Sequence, residues 1–125
     1  MLTKPVYYLR RQDFDSWGNL MDNYFRDKIV VVFIHTLGCI YCRMAAPEFQ
    51  QAANTNTNPN FVFAAIQADG NCPGERECNV LFSKMLKAEF RGFPDYAIFK
   101  NNVPTGINMP GRSKENILET LNKLV

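Results

Sequence analysis

The sequence has little net charge, one histidine, four cysteines and no apolar run longer than Ile29–Ile34. Each scarcity excludes something. A run of that length falls far short of the ~20 apolar residues a membrane span needs. Fourteen Lys and Arg against twelve Asp and Glu leave a charge of +2. That is too little to argue for a nucleic-acid partner, and Arg10-Arg11 is a solvated pair, not a basic tract. Met1–Arg10 lacks the apolar core of an export signal, since Lys4 and Pro5 interrupt it, so the chain reads as cytoplasmic as encoded. There is no internal repeat and no long linker, and 125 residues fit one domain over 1–125. The four cysteines fall into two local pairs, Cys39/Cys42 and Cys72/Cys78. In a cytoplasmic chain such pairs suggest redox chemistry or metal more than a disulfide framework.

What is present is an alternation of strands and helices. Val6–Leu9 reads as a short edge strand. Phe14, Trp17, Leu20, Met21 and Tyr24 recur at helical spacing behind Asp13 or Asp15 as cap, which predicts a first helix with a buried aromatic stripe that includes Trp17. Ile29–Ile34 is continuously apolar and rich in β-branched residues, the pattern of a central strand covered on both faces. A helix is predicted from about Cys39 to Ala53, with Met44, Phe49, Ala52 and Ala53 inward. The Asn-rich segment 54–60 is a polar stop. Phe61–Ala68 is the next strand, Cys72–Glu77 a loop, and Cys78–Phe90 a third helix. Tyr96–Lys100 and Val103–Met109 are predicted as strands around an Asn101-Asn102 turn. Ser113 caps a last helix that buries Ile117, Leu118, Leu121 and Leu124. The order β-α-β-α-β-α-β-β-α specifies an α/β fold, a sheet with helices on both faces.

Cys39-Ile40-Tyr41-Cys42 falls where a central strand ends and a helix begins. The first turn of a helix has unpaired N–H groups and the positive end of the macrodipole, so a thiolate at Cys39 is favoured there as nucleophile and as leaving group. Cys42, one turn on, is placed to resolve a mixed disulfide.

Val32-Phe33-Ile34-His35 through Cys39-Ile40-Tyr41-Cys42-Arg43-Met44-Ala45-Ala46-Pro47-Glu48-Phe49 resembles the active-site segment of the thioredoxin and protein disulfide isomerase superfamily. Arg43 and Pro47 match the basic residue and the proline that follow the second cysteine there. Arg91-Gly92-Phe93-Pro94 resembles that family's loop bearing a cis-proline beside the dithiol. Phe99-Lys100-Asn101-Asn102 and Gly111 match the hairpin and the glycine ahead of the last helix. The resemblance implies a thioredoxin fold, with a central mixed sheet flanked by helices, and a thiol–disulfide oxidoreductase in which Cys39 attacks and Cys42 resolves. Phe93, Pro94, Ile40 and Tyr41 would bind an extended protein substrate or a dithiol relay partner. No cofactor and no metal are expected.

Four positions depart from the family pattern. Phe33 stands where a buried Asp or Glu is usual, Gly38 where Trp is usual, Ile40-Tyr41 between the cysteines, and Asp95 where Thr follows the proline. His35, on the same side of its strand as Phe33, is a candidate proton acceptor for Cys42; the other reading is a packed histidine. The pair Cys72/Cys78 is similar to one carried by some isomerase-like domains, including those of quiescin-type sulfhydryl oxidases, and reads as a local disulfide clamp. Two reduced thiols and a four-cysteine zinc site are the alternatives. The rival to the redox enzyme is a thioredoxin-fold structural or adaptor component of a larger assembly, for example a virion, with little redox turnover; Phe33 favours it, and the intact Cys-x-x-C with Pro94 favours exchange.

Overall fold

The computed structural model describes residues 2–125. Five strands form one sheet: β1 Tyr7–Tyr8, β2 Ile29–His35, β3 Phe61–Gln67, β4 Asp95–Lys100 and β5 Val103–Pro104. Their order is β1-β3-β2-β4-β5. β1 and β2 run parallel to β3, whereas β4 runs antiparallel to β2 and β5 antiparallel to β4. Three α-helices cover the sheet: α1 Ile40–Thr55, α2 Phe82–Leu86 and α3 Lys114–Asn122.

Every residue of β2 and of β3 is buried, as continuous apolar runs require of strands covered on both faces. Side chains alternate along a strand, so β2 feeds two cores. Val31 and Phe33 join Phe49 and Ala52 of α1 and Ile117 and Leu121 of α3 on one face. Val30, Val32 and Ile34 join Phe14, Leu20, Phe82 and Met85 on the other. Ser113 caps α3 as predicted, its Oγ accepting from the Asn116 N–H at 3.0 Å.

The mixed sheet flanked by helices is the α/β arrangement predicted, with one helix fewer. No α-helix spans Phe14–Tyr24. Two short 3-10 turns, Arg11–Asp13 and Asn23–Phe25, flank an irregular segment closed by a Phe14–Leu20 bridge. The Asp15 carboxylate accepts from the Trp17 and Asn19 N–H groups and from the Asn19 side chain, and Gly18 adopts φ +81°. A side chain that claims those N–H groups competes with the helix, and a left-handed residue interrupts it. The apolar stripe is thereby split. Phe14, Leu20 and Phe25 are buried, but Trp17 is 75% exposed with the Lys84 ammonium 5.6 Å from its ring. Trp17 is therefore not a core residue.

The third helix is shorter than Cys78–Phe90. A 3-10 segment Arg76–Leu81 leads into α2, and Lys87 at φ +54° ends it. Asn79 Nδ2 donates to the Ala68 and Arg76 carbonyls, holding the 3-10 segment to the end of β3. The last strand stops at Pro104 rather than Met109: Thr105 N and Oγ1 both donate to the Ile98 carbonyl, and Gly106 turns away at φ +73°.

Candidate functional site

The site lies at the C-terminal end of β2. Leu37, in the loop between β2 and α1, is fixed by its N–H donating to both carboxylate oxygens of Asp69, just past β3, at 3.2 Å. Cys39 is the N-cap of α1 in extended conformation, φ −88° and ψ 117°. Its Sγ accepts from the Cys42 N–H at 3.1 Å, one of the donors that a helix start leaves unpaired. The same sulfur lies 3.6 Å from the Phe93 carbonyl, to which the thiol donates. Cys39 is half-buried and Cys42 only 2% exposed. Burial, followed by the hydrogen bond with Cys39, pushes the Cys42 thiol up to about 11, against the Thr36 backbone and the Arg112 guanidinium, which favour its thiolate.

The loop before β4 reaches the dithiol from the other side. Pro94 is buried and Phe93 partly so, and the Phe93–Pro94 peptide bond is cis. Around the half-buried sulfur, Leu37, Ile40, Tyr41 and Met44 form an exposed apolar collar, each more than half accessible. Met44, expected to face inward, is exposed; the helix instead buries Cys42, Ala45 and Phe49, an i, i+3, i+7 face. Beside the collar a groove of about 310 Å³ is lined by Tyr41, Met44, Ala45, Glu48, Arg112 and Ser113. The Arg112 guanidinium sits 6.0 Å from the Tyr41 ring.

Phe33 is fully buried and stacks on His35 and Phe49, both 5.1 Å away between ring centroids. His35 is 5% exposed and its Nε2 is 3.3 Å from the Tyr8 hydroxyl. Burial holds its pKa below the ordinary histidine value, and Asp69 opposes that shift. The ring is thus tied to β1 and the aromatic cluster.

Cys72 and Cys78 are free thiols, the first exposed and the second buried. The expected clamp is not closed in this structure. Cys78 Sγ donates to the Gly74 carbonyl at 3.4 Å, while the loop is held by the buried Glu75, which accepts from the Cys72 N–H at 2.8 Å. Burial and Asp13 push the Cys78 thiol up to about 12. Among the described residues no group of three or more His, Cys, Asp and Glu is placed to hold a metal ion, and no helix is long and apolar enough to cross a membrane.

Two residues near the site carried no signal in the sequence. Arg112 is one of several scattered cations until α3 is seen to begin beside α1. Tyr96 reads as a strand residue, and only the β2–β4 register places it opposite Phe33.

The thioredoxin family model matches residues 6–123. The chain belongs to the thioredoxin family. Protein 453L of Invertebrate iridescent virus 6, itself described as thioredoxin-like, is 39% identical over 126 residues, covering 92% of this chain and 91% of that one. The first thioredoxin domain of mouse protein disulfide-isomerase A4 superposes with a TM-score of 0.70 at 21% identity, over 99% of this chain and 78% of that one. A chain from the complex of ferredoxin:thioredoxin reductase with thioredoxin f2 superposes with a TM-score of 0.66 at 20% identity, over 95% and 94% of the two chains. At these identities the solved structures speak for the fold. A thioredoxin domain carrying Cys39 and Cys42 at the start of α1 supports a redox-type function.

Proposed function

We propose that this thioredoxin domain, acting as one unit over 1–125, exchanges thiols and disulfides with proteins through Cys39 and Cys42. The observation that carries this reading is the capping bond: the half-buried Cys39 sulfur takes the Cys42 N–H at 3.1 Å at the open end of a sixteen-residue helix. A developing negative charge on that sulfur is stabilised by the same donor and by the helix dipole. Cys39 thiolate attacks a substrate disulfide and forms the mixed disulfide, and one substrate sulfur leaves with the electron pair and takes a proton. Cys42 then loses its proton and attacks Cys39, which expels the second substrate sulfur and leaves a Cys39–Cys42 disulfide. Two electrons pass from the dithiol to the substrate, and the reverse sequence oxidises a substrate dithiol.

Phe93 and Pro94, with Ile40 and Tyr41, form the substrate platform. The Phe93 carbonyl beside Cys39 is free to pair with an extended chain once a mixed disulfide replaces the thiol, and the collar gives apolar contact to an unfolded or loop segment. Thioredoxin f2 occurs in complex with a partner reductase, and a protein partner of that kind, or a dithiol relay partner, suits an open site. Cys72 and Cys78 are proposed to close as a loop clamp when oxidised.

Reduction of insulin disulfides in the presence of dithiothreitol tests the reading. Wild type is expected to accelerate it, Cys39→Ser to abolish the acceleration, and Cys42→Ser, mixed with insulin without dithiothreitol, to accumulate a mixed disulfide. A wild type that neither reduces insulin nor forms an adduct would instead support the adaptor role in an assembly, which Phe33, in the place of a buried carboxylate, favours.

A further inference from the structure

The groove beside the dithiol is a seam between α1 and the start of α3, with Tyr41, Met44 and Glu48 on one side and Arg112 and Ser113 on the other. Its two ends differ in charge. Glu48, two turns along α1 from Tyr41, is already engaged: its Oε1 accepts from the Lys114 N–H at 2.8 Å, at the end of α3 where the helix dipole is positive. Arg112 stands at the other end, beside Cys39 and Cys42. Its guanidinium lies 6.0 Å from the centre of the Tyr41 ring, a placement that orders the side chain without neutralising it. Arg112 is exposed, and among the described residues no carboxylate pairs with it, the adjacent ion pair being Lys114 with Glu115. Tyr41 and Met44, which floor this end, are exposed as well. An unpaired cation next to exposed apolar side chains complements a segment that carries a carboxylate and an apolar side chain close together.

We infer that this seam is a specificity subsite for acidic protein segments. Its occupant is the stretch of a substrate protein that flanks the reacting cysteine. An Asp or Glu of that stretch pairs with Arg112, and a neighbouring apolar side chain lies on Tyr41 and Met44. This rests on the exchange reading above and names the substrate class for it. A chain joined to the Cys39 sulfur that continues over Tyr41 meets Arg112 within a few residues, since an extended chain advances about 3.3 Å per residue. The other cation of this part of α1, Arg43, lies on a different flank with Leu2, Ala46, Pro47 and Gln50 and does not face the seam. Charge at the rim of the site favours encounter with acidic segments and turns basic ones away.

Three peptides blocked at both ends, Glu-Leu-Cys-Leu-Glu, Gln-Leu-Cys-Leu-Gln and Lys-Leu-Cys-Leu-Lys, test the subsite, each with its cysteine held as a disulfide to 2-thiopyridine. Protein carrying Cys42→Ser and Cys72→Ser keeps the adduct on Cys39. The Cys39 thiolate attacks the peptide sulfur and the bond to thiopyridine breaks. The thiopyridine leaves with the electron pair, takes a proton from solvent and is read by its absorbance. The Glu peptide is expected to react about 3-fold faster than the Gln peptide, and the Lys peptide more slowly, as one exposed ion pair allows. High salt should narrow the gap. Arg112→Glu should reverse the order, and Arg43→Ala should keep it. Equal rates for the three peptides, or an unreversed order in Arg112→Glu, would overturn the proposal. Versions with serine for cysteine read the seam without chemistry, through the NMR shifts of Arg112 Nε–H and the Tyr41 ring during titration. Tighter binding of the acidic serine peptide without any thiopyridine release would defeat the exchange reading alone, and equal binding of all three would defeat the subsite.

Discussion

The two cysteine pairs of this thioredoxin domain are built alike and situated differently. Each joins a more accessible sulfur to a buried one. Cys39 and Cys42 share the first turn of a long α-helix, where a backbone N–H points at the accessible sulfur and a guanidinium favours charge on the buried one. Cys72 and Cys78 sit in a loop and a 3-10 segment. The buried Cys78 sulfur meets a carbonyl, and the charges of Asp13, Glu77 and Glu75 outnumber Arg11 around it. One pair has donors and positive charge where a thiolate must form, the other acceptors and negative charge. Spacing alone does not distinguish reactive from structural cysteines; the polarity of the backbone they cap does.

Substitution should separate the pairs completely. Cys39→Ser is expected to bring insulin reduction to background, while Cys78→Ser and Cys72→Ser leave its rate unchanged. Loss of activity in Cys72→Ser with folding intact, read by circular dichroism, would join the two sites and break the comparison.

Placing a carboxylate beside the resolving thiol comes next in size. Phe33→Asp is expected to speed resolution by about 10²-fold near neutral pH, as a placed general base does. It should also lower stability by roughly 3–5 kcal/mol, since a fully buried ring stacked on Phe49 and His35 is lost. Stopped-flow release of 5-thio-2-nitrobenzoate from a mixed disulfide at Cys39 and a urea melt measure the two effects, and an unchanged release rate would show that proton removal from Cys42 does not limit the step. His35→Ala sharpens this reading. A slower step would make His35 the acceptor, whereas an unchanged rate with a lower melting temperature fits its Tyr8 bond and Phe33 stack.

Much of this was legible in the sequence because it depends on local pattern. Ile29–Ile34 reads as a central strand and Phe61–Ala68 as the next strand, and β2 and β3 match them within a residue. The position of Cys39 between such a strand and a helix held, with Cys39 as the cap. Failures came where a side chain competed with its own backbone or where long-range packing chose the face. Asp15 and Gly18 dismantled a helix that Phe14, Trp17, Leu20, Met21 and Tyr24 had spelled out by spacing. Hydrophobicity assigns Met44 inward, yet α1 turns Cys42, Ala45 and Phe49 to the core and leaves Met44 exposed. Tyr96 and Arg112 reach the site through the sheet register and the start of α3, which no local pattern encodes.

Oxidation should alter the second pair with a smaller effect. Protein isolated without reductant is expected to yield a Cys72–Cys78 crosslinked peptide on mass mapping. Closing this short loop contributes about 2–2.5 kcal/mol in the chain-entropy model, lost on reduction without change in Cys39 reactivity. Two alkylatable thiols at 72 and 78 in air-oxidised, folded protein would rule out the clamp.

The last effect is on stability against pH. Both buried thiols hold their protons more tightly in the folded state than in the unfolded chain, Cys42 at about 11 and Cys78 at about 12 against an ordinary 9.0. Above pH 9 the unfolded chain therefore binds fewer protons than the native state, so stability falls as pH rises from there. Urea midpoints of the reduced protein should decline through that window, and Cys78→Ala should flatten the decline. A flat profile in the wild type would show that the two thiols are not held protonated by the fold.

The most direct test of the contrast between the pairs is to map where a substrate becomes attached. Cys42→Ser protein mixed with insulin, quenched in acid and digested, should give a single mixed-disulfide peptide joining an insulin chain to Cys39. Attachment at Cys72 in preference to Cys39, or no adduct at any cysteine, would contradict the account.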